Sequence, residues 1–118
     1  MKALALAALL LGACAAGMHA APVEPAPAVP PAVGDDLARA EQELRRLDAE
    51  VDALAAQATP PGCERVTVLR DNICALADRI CRLTEQYPQE PTLRPRCTDA
   101  RQRCFRAADA AKQRGCGP

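Results

Sequence analysis

Apolar side chains recur along residues 35–58 at alternating spacings of three and four, which is the pattern of one face of an α-helix. Asp35 and Asp36 precede this series and are good N-cap residues, so we expect the helix to begin there. Thr59-Pro60-Pro61-Gly62 is expected to end it, because proline lacks an amide proton and clashes with the preceding turn. The apolar series comprises Leu37, Ala40, Leu44, Leu47, Val51, Leu54 and Ala58.

The same spacing returns after Gly62 and predicts a second helix that Pro88 ends. A third helix is expected to begin near Pro95, because proline is tolerated in a first turn, and to end at Gly115. Its inward stripe consists almost entirely of small residues, which allow a neighbouring helix to approach closely. The apolar series of the second helix is Val66, Leu69, Ile73, Leu76, Ile80, Leu83 and Tyr87. The small stripe of the third is Cys97, Ala100, Cys104, Ala107 and Ala111.

Acidic residues flank the apolar seam of the first helix on both sides. Two copies paired through this seam would place acid against acid in either orientation, so a homodimeric coiled coil is disfavoured. We therefore expect a monomer in which this helix packs against another helix of the same chain. The flanking acids are Glu41, Glu43, Asp48 and Glu50.

Six cysteines follow Gly62 at spacings that select one pairing. Cys74 and Cys81 on the second helix are seven residues apart, as are Cys97 and Cys104 on the third. Seven residues correspond to about 10.5 Å along a helix axis. That distance excludes disulfide bonds within a helix, because the Cα atoms of a disulfide lie within about 7 Å. In an antiparallel hairpin, facing residues have position numbers with a constant sum, and three nested pairs here give 178, 178 and 179. The predicted disulfide bonds are Cys81–Cys97, Cys74–Cys104 and Cys63–Cys116.

The cysteines of the second helix lie about 100° around its axis from the isoleucines that precede them, so this helix has two buried faces. One face is expected to meet the third helix and the other to meet the first. We therefore expect an all-α fold over residues 35–118, a three-helix bundle built on a disulfide-stapled antiparallel hairpin. Over Cys74 to Cys104 the hairpin resembles the twin-cysteine coiled-coil-helix proteins of mitochondria. Six residues instead of nine separate its cysteines, and no function is carried across.

Residues 1–13 resemble a bacterial lipoprotein signal peptide. Lys2 precedes an apolar run of about nine residues, which is too short to cross a bilayer. The run leads into Leu11-Gly12-Ala13-Cys14, which resembles the lipobox, and the resemblance implies that Cys14 is acylated and becomes the first residue after cleavage. Removing Cys14 from the thiol pool leaves an even six cysteines for disulfides. The alternative is cleavage after Ala20, which would give a soluble secreted helical module.

Residues 14–34 are expected to form a tether between the lipid and the helical domain. Their prolines block helix formation and favour an extended chain, about 3.1 Å per residue. Ala15, rather than Asp, follows the acylated position, which favours the outer membrane facing the periplasm. The prolines are Pro22, Pro25, Pro27, Pro30 and Pro31.

The composition argues against catalysis. The chain has no serine, and its one histidine, His19, lies in the expected tether, so no nucleophile has a base to activate it. No two cysteines have the short spacing of zinc, haem or thioredoxin-like motifs, so no metal and no cofactor besides the covalent lipid are expected. A periplasmic metal-binding or thiol-redox protein remains the alternative use of the cysteines.

Basic residues are concentrated between Arg94 and Arg114, with seven bases against two acids. They could contact an anionic envelope polymer or lipid phosphates. The ordinary interpretation is a solvated helix face, or a stripe beside the acidic first helix. Nucleic acid is not expected, since stacking aromatic residues are missing. We therefore expect a noncatalytic envelope lipoprotein with a structural or protein-interaction role. The candidate contact residues are Arg96, Arg101, Arg103 and Arg106.

Overall fold

The computed structural model describes residue 17 and residues 29–57 and 62–117 of the chain. This part folds into three α-helices, α1 (Pro31–Ala55), α2 (Cys63–Glu85) and α3 (Arg94–Gln113). The expected all-α, three-helix architecture is confirmed. The expected signal peptide, the acylation site Cys14, His19, the Ala20 cleavage site and most of the expected tether lie outside the described residues.

The first helix begins earlier than Asp35 and Asp36 predict. Pro31 occupies its first turn, where the fixed φ of proline suits a helix and the missing amide proton costs nothing. The carbonyl of Pro30 accepts hydrogen bonds from the amides of Val33 and Gly34, both at 3.0 Å. The expectation of an extended chain up to Gly34 is therefore wrong for residues 31–34. Neither aspartate caps the helix through its side chain.

The core lies along the seam where α1 packs on the hairpin formed by α2 and α3. The buried leucines of α1 meet the buried leucine and isoleucines of α2, while α3 contributes alanines that let its backbone come close. Three residues outside the helices complete the core. Leu93 is buried before α3, and the partly buried Val29 and Tyr87 pack on the core before α1 and after α2. The buried residues of α1 and α2 in this cluster are Leu37, Ala40, Leu44, Leu47, Leu54, Leu69, Ile73, Ala77 and Ile80.

Two ion pairs between α1 and α2 show the relative direction of these helices. Asp36 pairs with Arg79 and Glu50 pairs with Arg65, so residue numbers rise on α1 as they fall on α2, and the two helices are antiparallel. Within residues 29–57 and 62–117, no helix has both the length and the apolar character needed to cross a bilayer.

Candidate functional site

Three disulfide bonds join α2 to α3 and to the residues that follow α3. Their Cα–Cα distances are 4.6, 4.7 and 5.1 Å, all within the range that disulfide geometry allows. The bonded pairs are the three that the cysteine spacing predicts. They are Cys81–Cys97, Cys74–Cys104 and Cys63–Cys116.

The outermost disulfide depends on how α3 ends. Gly115 adopts a positive φ of 72°, and the amide of Cys116 donates a 2.9 Å hydrogen bond to the carbonyl of Ala111. This is the Schellman arrangement, which needs a left-handed residue and thus favours glycine. It turns the chain back so that Cys116 packs on Ala111 and Val66, in reach of Cys63 at the start of α2.

The exposure of the disulfides changes along the hairpin. Cys81 and Cys97 are 3% and 9% exposed, whereas Cys63 lies exposed at the first residue of α2, although its partner Cys116 is only 2% exposed. A thiolate must reach a sulfur to exchange with it, so access is easiest at the sulfur of Cys63.

A seam of ion pairs joins α1 to α3. Arg96 donates two hydrogen bonds to the carboxylate of Glu41, both at 2.7 Å. Asp48 is buried and accepts from both Arg103, at 2.6 Å, and Arg106. A buried carboxylate is costly unless it is paired, so Asp48 fixes which face of α1 meets α3.

Two guanidinium groups of this seam, those of Arg96 and Arg103, have raised pKa values. The hydrogen bond to Glu41 raises the pKa of Arg96. The hydrogen bond to Asp99 raises the pKa of Arg103, and the negative charges of Asp99 and Asp48 add to the effect. These arginines are therefore fixed positive charges in contact with the carboxylates of their own chain.

The acids that flank the α1 seam are matched within the chain. Glu41 and Asp48 meet α3, and Glu50 meets Arg65 of α2 at 3.4 Å. Glu43 pairs with Arg46 on α1 itself at 2.6 Å. The sequence predicts that α1 packs on a helix of its own chain, and these contacts show how the other two helices meet its acidic flanks.

The four candidate arginines do not form one free surface. Arg96, Arg103 and Arg106 point toward α1 and bind its carboxylates. Only Arg101 lies on the outward side of α3, where its closest carboxylate is Glu85 at 3.5 Å and both side chains are more than half exposed. The ordinary interpretation, a basic stripe beside the acidic first helix, is the one these contacts support.

Two large hydrophobic side chains lie exposed on the hairpin, and the sequence patterns did not single them out. Phe105 on α3 is 66% exposed and Val68 on α2 is 54% exposed. The available signal was the position of Phe105, which is one residue beyond Cys104 and outside the small stripe of α3. An exposed aromatic residue is a common anchor in protein interfaces.

The six cysteines that the structure describes are all consumed by disulfide bonds. In the described part of the chain, no group of three or more histidine, cysteine, aspartate or glutamate side chains could hold a metal ion. A metal or thiol-redox role for these cysteines would first require their reduction.

Comparison with known proteins gives no match: no family model, no curated protein and no solved structure matches this chain.

Proposed function

We propose that the protein is an outer-membrane lipoprotein of the bacterial envelope, facing the periplasm. Cys14 carries the lipid, the proline-rich residues act as a tether, and the bundle is a noncatalytic module that binds another envelope component. The proposal depends most on one observation, the three disulfide bonds that brace so small a domain. Structural disulfides persist in oxidising compartments such as the periplasm, which is where a lipobox would direct the chain.

The polar groups of the bundle support a binding role rather than catalysis. Asp48 and Glu41, the most buried acids between α1 and α3, both form ion pairs with arginines of α3. Among the described residues no buried side-chain nitrogen or oxygen lacks a hydrogen-bond partner. Catalytic groups are typically held in a cleft with strongly perturbed acid–base properties. Here the charged groups stabilise helix packing, and the outward faces are left for recognition.

The proposal is tested by labelling the full chain in a Gram-negative host with an alkyne fatty acid. We expect label on the wild-type protein and none on Cys14→Ser. The intact mass should correspond to a chain that begins at residue 14, carries acyl groups and has no free thiols.

Two results would overturn the proposal. An unacylated mass that begins at residue 21 would indicate the soluble secreted module. Six free thiols in freshly isolated protein would indicate the metal-binding or thiol-redox alternative.

A further inference from the structure

The outward face of α2 carries an acidic stripe. Its members follow the three-four spacing of one helix face, and every one of them is exposed. Four are acids and one is basic, so the stripe has three net negative charges. We call these residues the α2 stripe; they are Glu64, Val68, Asp71, Ala75, Asp78, Arg82 and Glu85.

The outward face of α3 carries a basic stripe beside it. Three of its members are basic and none is acidic, with Asp109 at its edge. Phe105 lies at the middle of this stripe and is its largest apolar side chain. We call these residues the α3 stripe; they are Arg94, Thr98, Arg101, Phe105, Ala108 and Lys112.

Most charges of these stripes form no ion pair within the described part of the chain; Asp71 is an exception, since its carboxylate lies 2.9 Å from the guanidinium group of Arg70. Between the two stripes, the described residues form one ion pair, Arg101 with Glu85 at 3.5 Å. Asp78, Arg94 and Lys112 form none in the described part of the chain. The contrast with the acids flanking α1, which are matched by arginines at 2.6 to 3.4 Å, is clear.

We infer that this outward face binds a second copy of the chain, in a two-fold symmetric dimer whose axis runs parallel to the helices. Such an axis places the α2 stripe of each copy on the α3 stripe of the other, acid against base. A two-fold axis across the helices would place α2 on α2 and repel. Charge complementarity therefore selects both the occupant and the symmetry.

The register of this dimer follows from the hairpin itself. Rotation about an axis parallel to the helices does not change the position of a residue along that axis. An α2 residue therefore faces the residue of the partner's α3 that lies at the same level along the helices. The disulfides set that relation, since the numbers of Cys74 and Cys104 sum to 178. Asp78 then faces the partner's Arg101 and Glu85 faces the partner's Arg94, with sums of 179 in both cases.

In the same register the exposed side chain of Phe105 packs against a small residue of the partner. Ala75 and the partner's Phe105 have a sum of 180, so the largest exposed side chain meets one of the smallest. The stripes hold few other apolar groups, and surface ion pairs are weak, so we expect a salt-sensitive dimer of micromolar affinity.

The proposed dimer differs from the monomer that the sequence predicts. That expectation rests on the acids flanking α1, whereas the stripes lie on the other two helices and face away from α1. The dimer does not depend on acylation, so it can fail while the proposed lipoprotein function holds, and the reverse is also true.

The test is sedimentation equilibrium of the oxidised full chain with Cys14→Ser, which removes association driven by acyl groups. We expect a reversible monomer–dimer equilibrium at low salt that weakens at high salt. Arg101→Glu and Asp78→Arg should each raise the dissociation constant about tenfold, because each change acts twice in a symmetric dimer. Phe105→Ala should raise it by about the same factor.

The charge-swapped chain, carrying Arg101→Glu and Asp78→Arg together, should return to within about threefold of the parent value. Arg45→Glu is the matched control, since Arg45 lies exposed on α1 and should leave the dissociation constant unchanged. A monomer at every concentration would overturn the inference. So would a dimer that Phe105→Ala leaves intact, or one that the charge swap fails to restore.

Discussion

The molecule joins two regions that are held together in different ways. The α2–α3 hairpin is closed by three disulfide bonds, whereas α1 contains no cysteine and packs on it only through apolar contacts and ion pairs. A disulfide stabilises mainly by restricting the unfolded chain, and it persists when salt or acid weakens other contacts. The two regions should therefore respond to different perturbations. The region that leads toward the expected tether is the one without a covalent lock.

Reduction of the three disulfide bonds should lower the stability of the protein more than any substitution below, because these bonds close the α2–α3 hairpin. The Cys63–Cys116 bond closes a loop with a sequence separation of 53, which corresponds to about 4 kcal/mol in the chain-entropy treatment. Domains of this size have total stabilities of about 5 to 15 kcal/mol, and nested bonds add less than their sum. We expect reductant to lower the thermal midpoint by tens of degrees or to abolish folding, as followed by circular dichroism. An unchanged midpoint with all six thiols free would contradict this.

The order of reduction should follow exposure. Under limiting reductant, followed by alkylation and mass mapping, the bond of exposed Cys63 should open first and that of buried Cys81 last. The reverse order would show that access does not control exchange in this hairpin.

The next largest effect is expected from Leu44→Ala, which should destabilise α1 while leaving the α2–α3 hairpin folded. Leu44 is 1% exposed in the middle of α1, and such a truncation costs about 2 to 5 kcal/mol. Hydrogen exchange should show fast exchange across α1 while α2 and α3 keep protection relative to the oxidised wild type. Ala49→Gly, at an exposed site on the same helix, is the control and should cost only about 1 kcal/mol. Equal loss of protection in all three helices would mean that the bundle opens as one unit.

Asp48→Asn should have a smaller effect on the same contact. The change keeps the shape but removes the charge that Arg103 and Arg106 contact, so we expect a loss of about 1 to 3 kcal/mol in denaturant unfolding. Asp52→Asn, one turn further on the exposed side of α1, should have almost no effect. Equal effects of the two changes would mean that the buried pairing contributes nothing to the docking of α1.

Glu43→Gln should have the smallest effect and should appear only in the pH dependence. The hydrogen bond from Arg46 lowers the pKa of Glu43. A lowered folded-state pKa stabilises the fold above the unfolded-state value, and this contribution disappears as the pH falls through the folded-state value. The variant should therefore show a slightly weaker decline of stability on acidification. A variant that declines more steeply than wild type would contradict the sign.

The disulfide pairing and the helix count could be predicted because helix geometry is regular. Cys74 and Cys81 share a face but cannot bond, and the constant sum then selects their partners. The start of α1 could not be predicted in this way, because Pro31 is compatible both with an extended tether and with a first helical turn.

The surface was harder to predict than the fold. Arg96, Arg101 and Arg103 look alike in a charge count, but they lie at different angles around α3. Only the packing of α1 shows which of them meet its carboxylates. Phe105 could not be singled out from the sequence, because periodic apolar spacing identifies the buried face of a helix and does not register a single apolar residue on the solvent-exposed face of α3.

Peptide mapping of the oxidised protein under nonreducing conditions tests whether the three disulfide bonds lock α2 and α3 into an antiparallel hairpin. An arginine or lysine lies between every two successive cysteines after Gly62, so trypsin places each of the six on its own peptide. We expect three linked pairs of peptides, which join Cys81 to Cys97, Cys74 to Cys104, and Cys63 to Cys116. A linked pair along one helix, such as Cys74 with Cys81, would contradict this expectation.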